Sequence, residues 1–180
     1  IRQTSPTYRP ECERDWVICG PQFSVSTPFF QSPNTNYQNN KSYHALDVTA
    51  IDDAFIPTST YRPGPSFADR IPTWGPSSAT EKPITAYYRY INRAMIDTGT
   101  VRSLFPCIIP PGSTHHHGSY SLCFSDASDM VAFTGVASSI CLDFLLRVSG
   151  KAHCVDDTLR QFPIFTSDHR DAILVRALRL

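Results

Sequence analysis

The sequence predicts an α+β fold in a single domain spanning residues 1–180. A mixed or antiparallel sheet, built as a meander around 84–125, would pack against a long helix of about 126–149 and a C-terminal helix of about 168–179. Three observations predict it. Aromatic and β-branched residues, broken by short turn signals, crowd residues 86–125. Apolar residues then recur at three- and four-residue steps across 126–150. Composition is that of a globular chain, with 41% hydrophobic and 18% charged residues. A chain of this size buries about 70% of its unfolded surface.

Residues 1–83 hold eleven of the fifteen prolines, so only short strands are expected there. Residues 16–25 (WVICGPQFSV) are strand-like with a break at Gly20-Pro21, and residues 46–51 (LDVTAI) form a second short strand. Between them lies a polar exposed loop, 31–42 (QSPNTNYQNNKS). Residues 61–83 are irregular and are expected to reach the core through Phe67, Ile71 and Trp74.

The meander is the expected centre. In residues 87–93 (YYRYINR), period-2 alternation sends Tyr87, Arg89, Ile91 and Arg93 one way, and Tyr88, Tyr90 and Asn92 the other. Asp97-Thr98-Gly99 is a turn, 101–109 the second strand, Pro110-Pro111-Gly112 its stop, and 120–124 the third strand. The helix after it takes Ser125 or Asp126 as N-cap. Its buried stripe is Met130, Phe133, Val136/Ala137, Ile140, Phe144 and Val148, and Gly150 ends it. Beyond an extended 162–165 segment, Ser167 or Asp168 caps a last helix carrying Ile173, Leu174, Ala177 and Leu178.

Net charge is zero, but residues 58–102 carry six Lys/Arg against three Asp/Glu, the one basic block of note. No apolar run reaches the roughly 20 residues of a membrane span, so no membrane partner is expected and the location expected is cytoplasmic. The six cysteines lie mostly among apolar neighbours without a CxxC pair, which predicts reduced core thiols. Ile1 starts the chain without Met and Leu178-Arg179-Leu180 closes it inside an apolar repeat, so a piece of a longer protein is expected.

Chemistry is sparse. Nucleotide-binding GxGxxG and GxxxxGK[ST] loops, HExxH and GxSxG are all missing. The Asp52-Asp53 and Asp156-Asp157 pairs suit solvated or capping roles, and Asp143 suits a side-chain partner more than a base. On these grounds no catalytic residue is expected, and no metal site is expected because three consecutive histidines cannot all face one ion from an extended backbone. Binding residues are easier to nominate. Arg89, Arg93 and Arg102, on neighbouring strands, would form one positive stripe, with the alternative that they pair with Asp97 or Asp126 at the surface. The exposed 113–118 loop offers His115, His116 and His117 to phosphate or base edges, or is an ordinary turn. The 31–42 loop offers Asn39 and Lys41, or is simply solvated.

One stretch resembles a known family. Residues 82–89 (KPITAYYR), Arg93, and 102–112 (RSLFPCIIPPG) follow the order K-P-x-T-x-Y-Y-R … R … R-T/S-L … I-I-P. That order is similar to the C-terminal part of bacterial DNA adenine methylases from restriction-modification and phage-exclusion systems. Val17–Pro21, residues 46–49, Tyr61-Arg62-Pro63, and SSICLDF at 138–144 with Phe162-Pro163-Ile164 extend it. This block is similar to the specificity domains of type I subunits and of the Taq-type methylase. The His run departs from the pattern, where one His is expected.

The resemblance implies a target-recognition domain that holds double-stranded DNA for a methyltransferase domain of the same polypeptide. That absent domain would carry S-adenosylmethionine, flip the adenine and methylate its N6. Whether the parent also cleaves DNA stays open. Arg62, Lys82, Arg89, Arg93 and Arg102 would set register on phosphates or read guanine, while the two loops read base edges. The competing expectation is a protein-interaction or scaffolding domain of a bacterial defence complex, marked by an exposed apolar patch.

Overall fold

Eleven short strands and four α-helices follow one another in the computed structural model, which describes residues 1–39, 41–164 and 169–179. The N-terminal half supplies β1 (Arg2–Tyr8), β2 (Val17–Ile18), β3 (Gln31–Pro33), β4 (Tyr43–Ala45), β5 (Ser59–Arg62), β6 (Thr73–Trp74) and β7 (Lys82–Pro83). The other half supplies β8 (Arg89–Arg93), β9 (Cys107–Ile109), β10 (Thr114–His115) and β11 (Ser119–Leu122). The helices α1 (Ala127–Ala137), α2 (Ile140–Val148), α3 (Asp156–Leu159) and α4 (Arg170–Ala177) come last. The fold is α+β, with several small, mainly antiparallel sheets.

Proline density keeps the first half in two-stranded pieces, because each proline removes a ladder donor. β1 pairs with β5, β3 with β4 and β6 with β7, all antiparallel, while β2 runs parallel to β10. Residues 46–51, expected as a strand, instead turn: Asp47 Oδ1 accepts from the Thr49 N–H at 3.0 Å, a local bond that competes with pairing.

The three-stranded sheet differs from the expected meander. Its order is β11-β8-β9, so the first strand in sequence lies in the middle, with Tyr90 opposite both Ile108 and Leu122. Only residues 107–109 of the expected second strand pair. The loop before them is held elsewhere. Asp143 accepts from the Ser103 and Leu104 N–H groups at 2.8 and 2.7 Å, and Arg147 donates to the Thr100 and Val101 carbonyls.

β8 separates two cores, and its alternation is the expected one. Tyr90 faces Leu104, Met130, Phe133 and Leu146, meeting the Phe133 ring edge-on at 5.0 Å. Ile91 faces Trp16, Ile18, Phe23 and Ile109. A strand covered on both faces must bury its polar members too, so Arg89 is 1% exposed and Asn92 is fully buried. Asn92 Nδ2 donates to the Arg93 and Cys154 carbonyls at 2.8 and 2.9 Å, while its Oδ1 is buried without a hydrogen-bond partner.

The single long helix is in fact two, bent by 66°. Asp126 caps α1, accepting from the Ser128 N–H at 2.6 Å. Ser139 then opens α2 as its N-cap, accepting from the Leu142 N–H at 3.2 Å. The break re-aims the second segment. Leu142, Asp143 and Leu146 face inward, whereas Ile140, Phe144 and Val148, expected in the buried stripe, are exposed. Gly150 takes the positive φ expected of the residue ending α2.

α4 packs on α1 where Gly135 allows close approach: a Cβ there would lie 2.8 Å from the Ala177 Cβ. His169 is the N-cap of α4; the expected caps Ser167 and Asp168, like Phe165, lie outside the described residues. Phe162 enters the helix-side core without forming a strand, and Ile164 is exposed. The six cysteines are free thiols.

Candidate functional site

The expected arginine stripe does not form. Arg89 is interior, and its guanidinium donates to the Ser113 carbonyl. Burial pulls its pKa down to about 10, which still leaves it charged at neutral pH. Arg102 turns toward the helices: it donates to the Ser138 carbonyl at 3.0 Å and pairs with Asp143, Nε to Oδ1, at 3.3 Å. Neither Asp97 nor Asp126 is its partner in that pair. The physical reason is the central position of β8, which leaves no outer face for a stripe. Arg62 and Lys82 are exposed on β5 and β7, with the Arg62 guanidinium 4.9 Å from the Tyr8 ring centre. Asn39 and Lys41 are exposed on their loop, where Asn39 Oδ1 accepts from the Lys41 N–H at 2.9 Å.

Arg93 alone of the three arginines opens onto a cleft. The cleft measures about 550 Å³, and its walls include Cys19, Tyr37, Tyr43, Tyr61, Phe105 and His116. Tyr37 belongs to the first polar loop and His116 to the second, so the structure brings together two segments that sequence spacing keeps far apart. Asp97 and Thr100, from the loop clamped by Asp143 and Arg147, complete one side. A larger trough of about 1210 Å³ runs between residues 12–15, 63–71 and 110–112. It gathers none of the three arginines or three histidines nominated from the sequence.

Each cleft group has a definable state. The Arg93 guanidinium donates to the Phe23 carbonyl at 2.8 Å and lies 3.8 Å from the Phe105 ring centre. Its Nε is buried without a hydrogen-bond partner, and no carboxylate forms an ion pair with it among the described residues. Burial lowers its pKa, but an arginine stays cationic at neutral pH. Arg93 is therefore a cation without an ion-pair partner among the described residues, with Asp97 a carboxylate elsewhere on the cleft wall.

His116 Nδ1 accepts from the Gly118 N–H at 3.1 Å, which puts the proton of the neutral ring on Nε2. Its ring stacks on Tyr61, centres 4.4 Å apart and planes 25° apart. Burial first, then repulsion from His117 and His115, holds its pKa below the usual value, so the stack is uncharged at neutral pH. His115 does not line the cleft. Its Nδ1 lies 3.1 Å from the His116 carbonyl, which can only accept, so Nδ1 bears the proton and Nε2 accepts from the Ser121 hydroxyl at 2.9 Å. His117 is exposed beside them, its ring 3.8 Å from that of His116.

Also in the cleft lining, Tyr37 and Tyr43 meet edge-on at 5.6 Å, and the Tyr43 hydroxyl lies 3.1 Å from Cys19 Sγ. Burial pushes the Cys19 thiol up, so it stays protonated and serves as a packing group rather than a nucleophile. Among the described residues no group of three or more His, Cys, Asp or Glu side chains is placed to hold a metal. What the walls can do is stack on a flat ring and donate hydrogen bonds to it.

Tyr43, Tyr61, Cys19 and Phe105 were not nominated from sequence. The signal for Tyr61 was present in Tyr61-Arg62-Pro63, but a strand sends neighbours to opposite sides, and the cleft takes the tyrosine. Comparison with known protein families, with curated proteins and with solved structures finds no match to this chain.

Proposed function

We propose that this chain is a sequence-specific DNA-recognition domain of a restriction-modification type DNA adenine methyltransferase, and that it meets double-stranded DNA at the cleft between its two polar loops. The observation that carries this is convergence: Tyr37 from the 31–42 loop, His116 from the 113–118 loop and the unpaired Arg93 charge line one space. Arginine donors and uncharged aromatic faces suit nucleotide bases and sugar surfaces. Lys41 and His117 are exposed in the same two loops and are suited to phosphate. In this role the chain positions DNA. The methyl donor S-adenosylmethionine and the transfer to adenine N6 belong to a catalytic domain of the same polypeptide.

The test is a salt titration of duplex affinity. Lys41→Ala is expected to weaken binding to all sequences alike and to lower the slope of log K against log salt by about one. An unchanged slope removes Lys41 from the interface, and binding without salt dependence contradicts the proposal.

A second reading, a protein-interaction domain, is favoured by one observation. Ile140, Phe144, Leu145 and Val148 project from α2 with 59–76% of their surface exposed. Such an apolar strip marks a contact face. If Phe144→Ser disperses self-associated chains while DNA binding is absent in the parent sequence, this reading replaces the first.

A further inference from the structure

The cleft has a chemistry narrower than general DNA contact. Its Arg93 floor is recessed: the guanidinium lies against the Phe105 ring, and the arginine stem passes 3.5 Å from where a Gly20 Cβ would stand. Base edges in a paired duplex stay stacked in the groove and cannot enter between ring walls to reach such a group. A base swung out of its stack can. The walls are suited to one, since the lining carries both the Tyr61–His116 stack and the Tyr37–Tyr43 pair.

Hydrogen-bond polarity then chooses among bases. Arg93 has only donors: one terminal nitrogen donates to the Phe23 carbonyl and Nε is buried, so the remaining terminal N–H groups are those a base can meet. Asp97, on the cleft wall, is an acceptor, with Oδ1 already receiving the Gly99 N–H at 2.8 Å. Guanine matches both, because O6 and N7 accept from an arginine fork while its N1–H and N2–H donate to a carboxylate. Adenine would turn its N6 donor toward the arginine. The space of about 550 Å³ lies within the usual range of small-ligand sites.

We propose that this cleft binds a single unpaired guanine base, its ring against the tyrosine and histidine walls and its O6/N7 edge toward Arg93. The same chemistry would accept guanine from a nucleic-acid strand or from a free nucleotide. The strand is the source we assign, which rests on the DNA-recognition proposal above.

The test uses the whole chain and fluorescence anisotropy with four probes: a labelled duplex carrying one unpaired guanine, the same duplex with an unpaired adenine in its place, the same duplex fully paired, and guanosine monophosphate as competitor. The expected result is at least tenfold tighter binding of the bulged duplex. A bulged adenine should give less than a third of that gain. Tyr61→Leu and Arg93→Lys should each bring the bulged duplex to within about threefold of the paired one. Tyr37→Ala, on a surface loop, repeats the test where a strand variant fails to fold. Equal binding of bulged and paired duplexes overturns the guanine site and leaves DNA recognition standing. A preference that survives both Tyr61→Leu and Tyr37→Ala overturns its location. Binding of the monophosphate without binding of any DNA keeps the guanine site and overturns the DNA source. Failure of all probes to bind overturns both proposals.

Discussion

Arg89 sits one residue from Tyr90 on a strand whose two faces are both covered. With Ile91 in one core and Tyr90 in the other, Arg89 packs as a buried side chain tied to the Ser113 carbonyl. Its stem fills volume while its charge, without a carboxylate partner in any ion pair among the described residues, contributes desolvation cost. Arg89→Met keeps the volume and removes the charge, whereas Arg89→Ala leaves a cavity. In urea unfolding Met is expected to be more stable than Ala by about 2–4 kcal/mol. Equal stability of the two variants would show that packing is not what Arg89 provides.

The histidines give a prediction at the same scale. His115 and His116 both have folded-state pKa values below the ordinary value, chiefly through burial. Between the two values the unfolded chain therefore binds more protons than the folded one. Stability is fully present above about pH 6.5, the unfolded value, and is lost as pH falls from there toward the folded values. The lowered carboxyls of Asp47 and Asp126 act only below their ordinary value of 3.8, so they do not contribute in this window. The urea midpoint is expected to drop between pH 7.5 and 5.5, and His115→Asn to flatten part of that drop. A midpoint independent of pH across this interval would contradict the buried neutral assignment.

At the scale of elements, the two-helix break shows what local pattern can and cannot reveal. Ser138-Ser139 was legible as an interruption of an apolar run. The Ser139 cap is a local contact, but the direction α2 takes after it is held by distant ones that local pattern does not show: Arg102 donates to the Ser138 carbonyl, and Asp143 holds residues 103 and 104 from α2. Asp143 is thus a clamp. It ties the loop bearing Asp97 and Thr100 to the helix pair and so fixes one wall of the cleft. Asp143→Ala would leave two buried N–H groups and the Arg102 charge without their acceptor. A loss of about 3 kcal/mol in unfolding free energy is expected. Hydrogen exchange should quicken first at Ser103 and Leu104. A loss under about 1 kcal/mol would mean that water replaces the carboxylate without cost.

For the whole molecule, the fold class and the sheet–helix partition were legible because both rest on periodicity, a local property. The cleft was half legible. Its two loops stood out as polar stretches, with Tyr37 in one and His116 in the other, yet nothing in a linear sequence says that residues some eighty positions apart share a space. Cys19 read as an ordinary strand residue, Tyr61 as the start of an irregular segment and Tyr43 as part of no element, so nothing local marked them as sharing a wall. The molecule ends with two unlike surfaces: an aromatic cleft over an unpaired guanidinium, and an apolar strip on α2.

The most direct test of the cleft as the DNA-contacting surface is backbone amide chemical-shift mapping during titration with a duplex. Shifts concentrated in residues 19–21, Tyr37, Tyr43, Tyr61, Arg93, 95–97, Thr100, Phe105, His116 and Gly118, the cleft walls, are the predicted result. Shifts confined to α2 and α4, or no shifts at DNA concentrations that saturate other recognition domains, would contradict it.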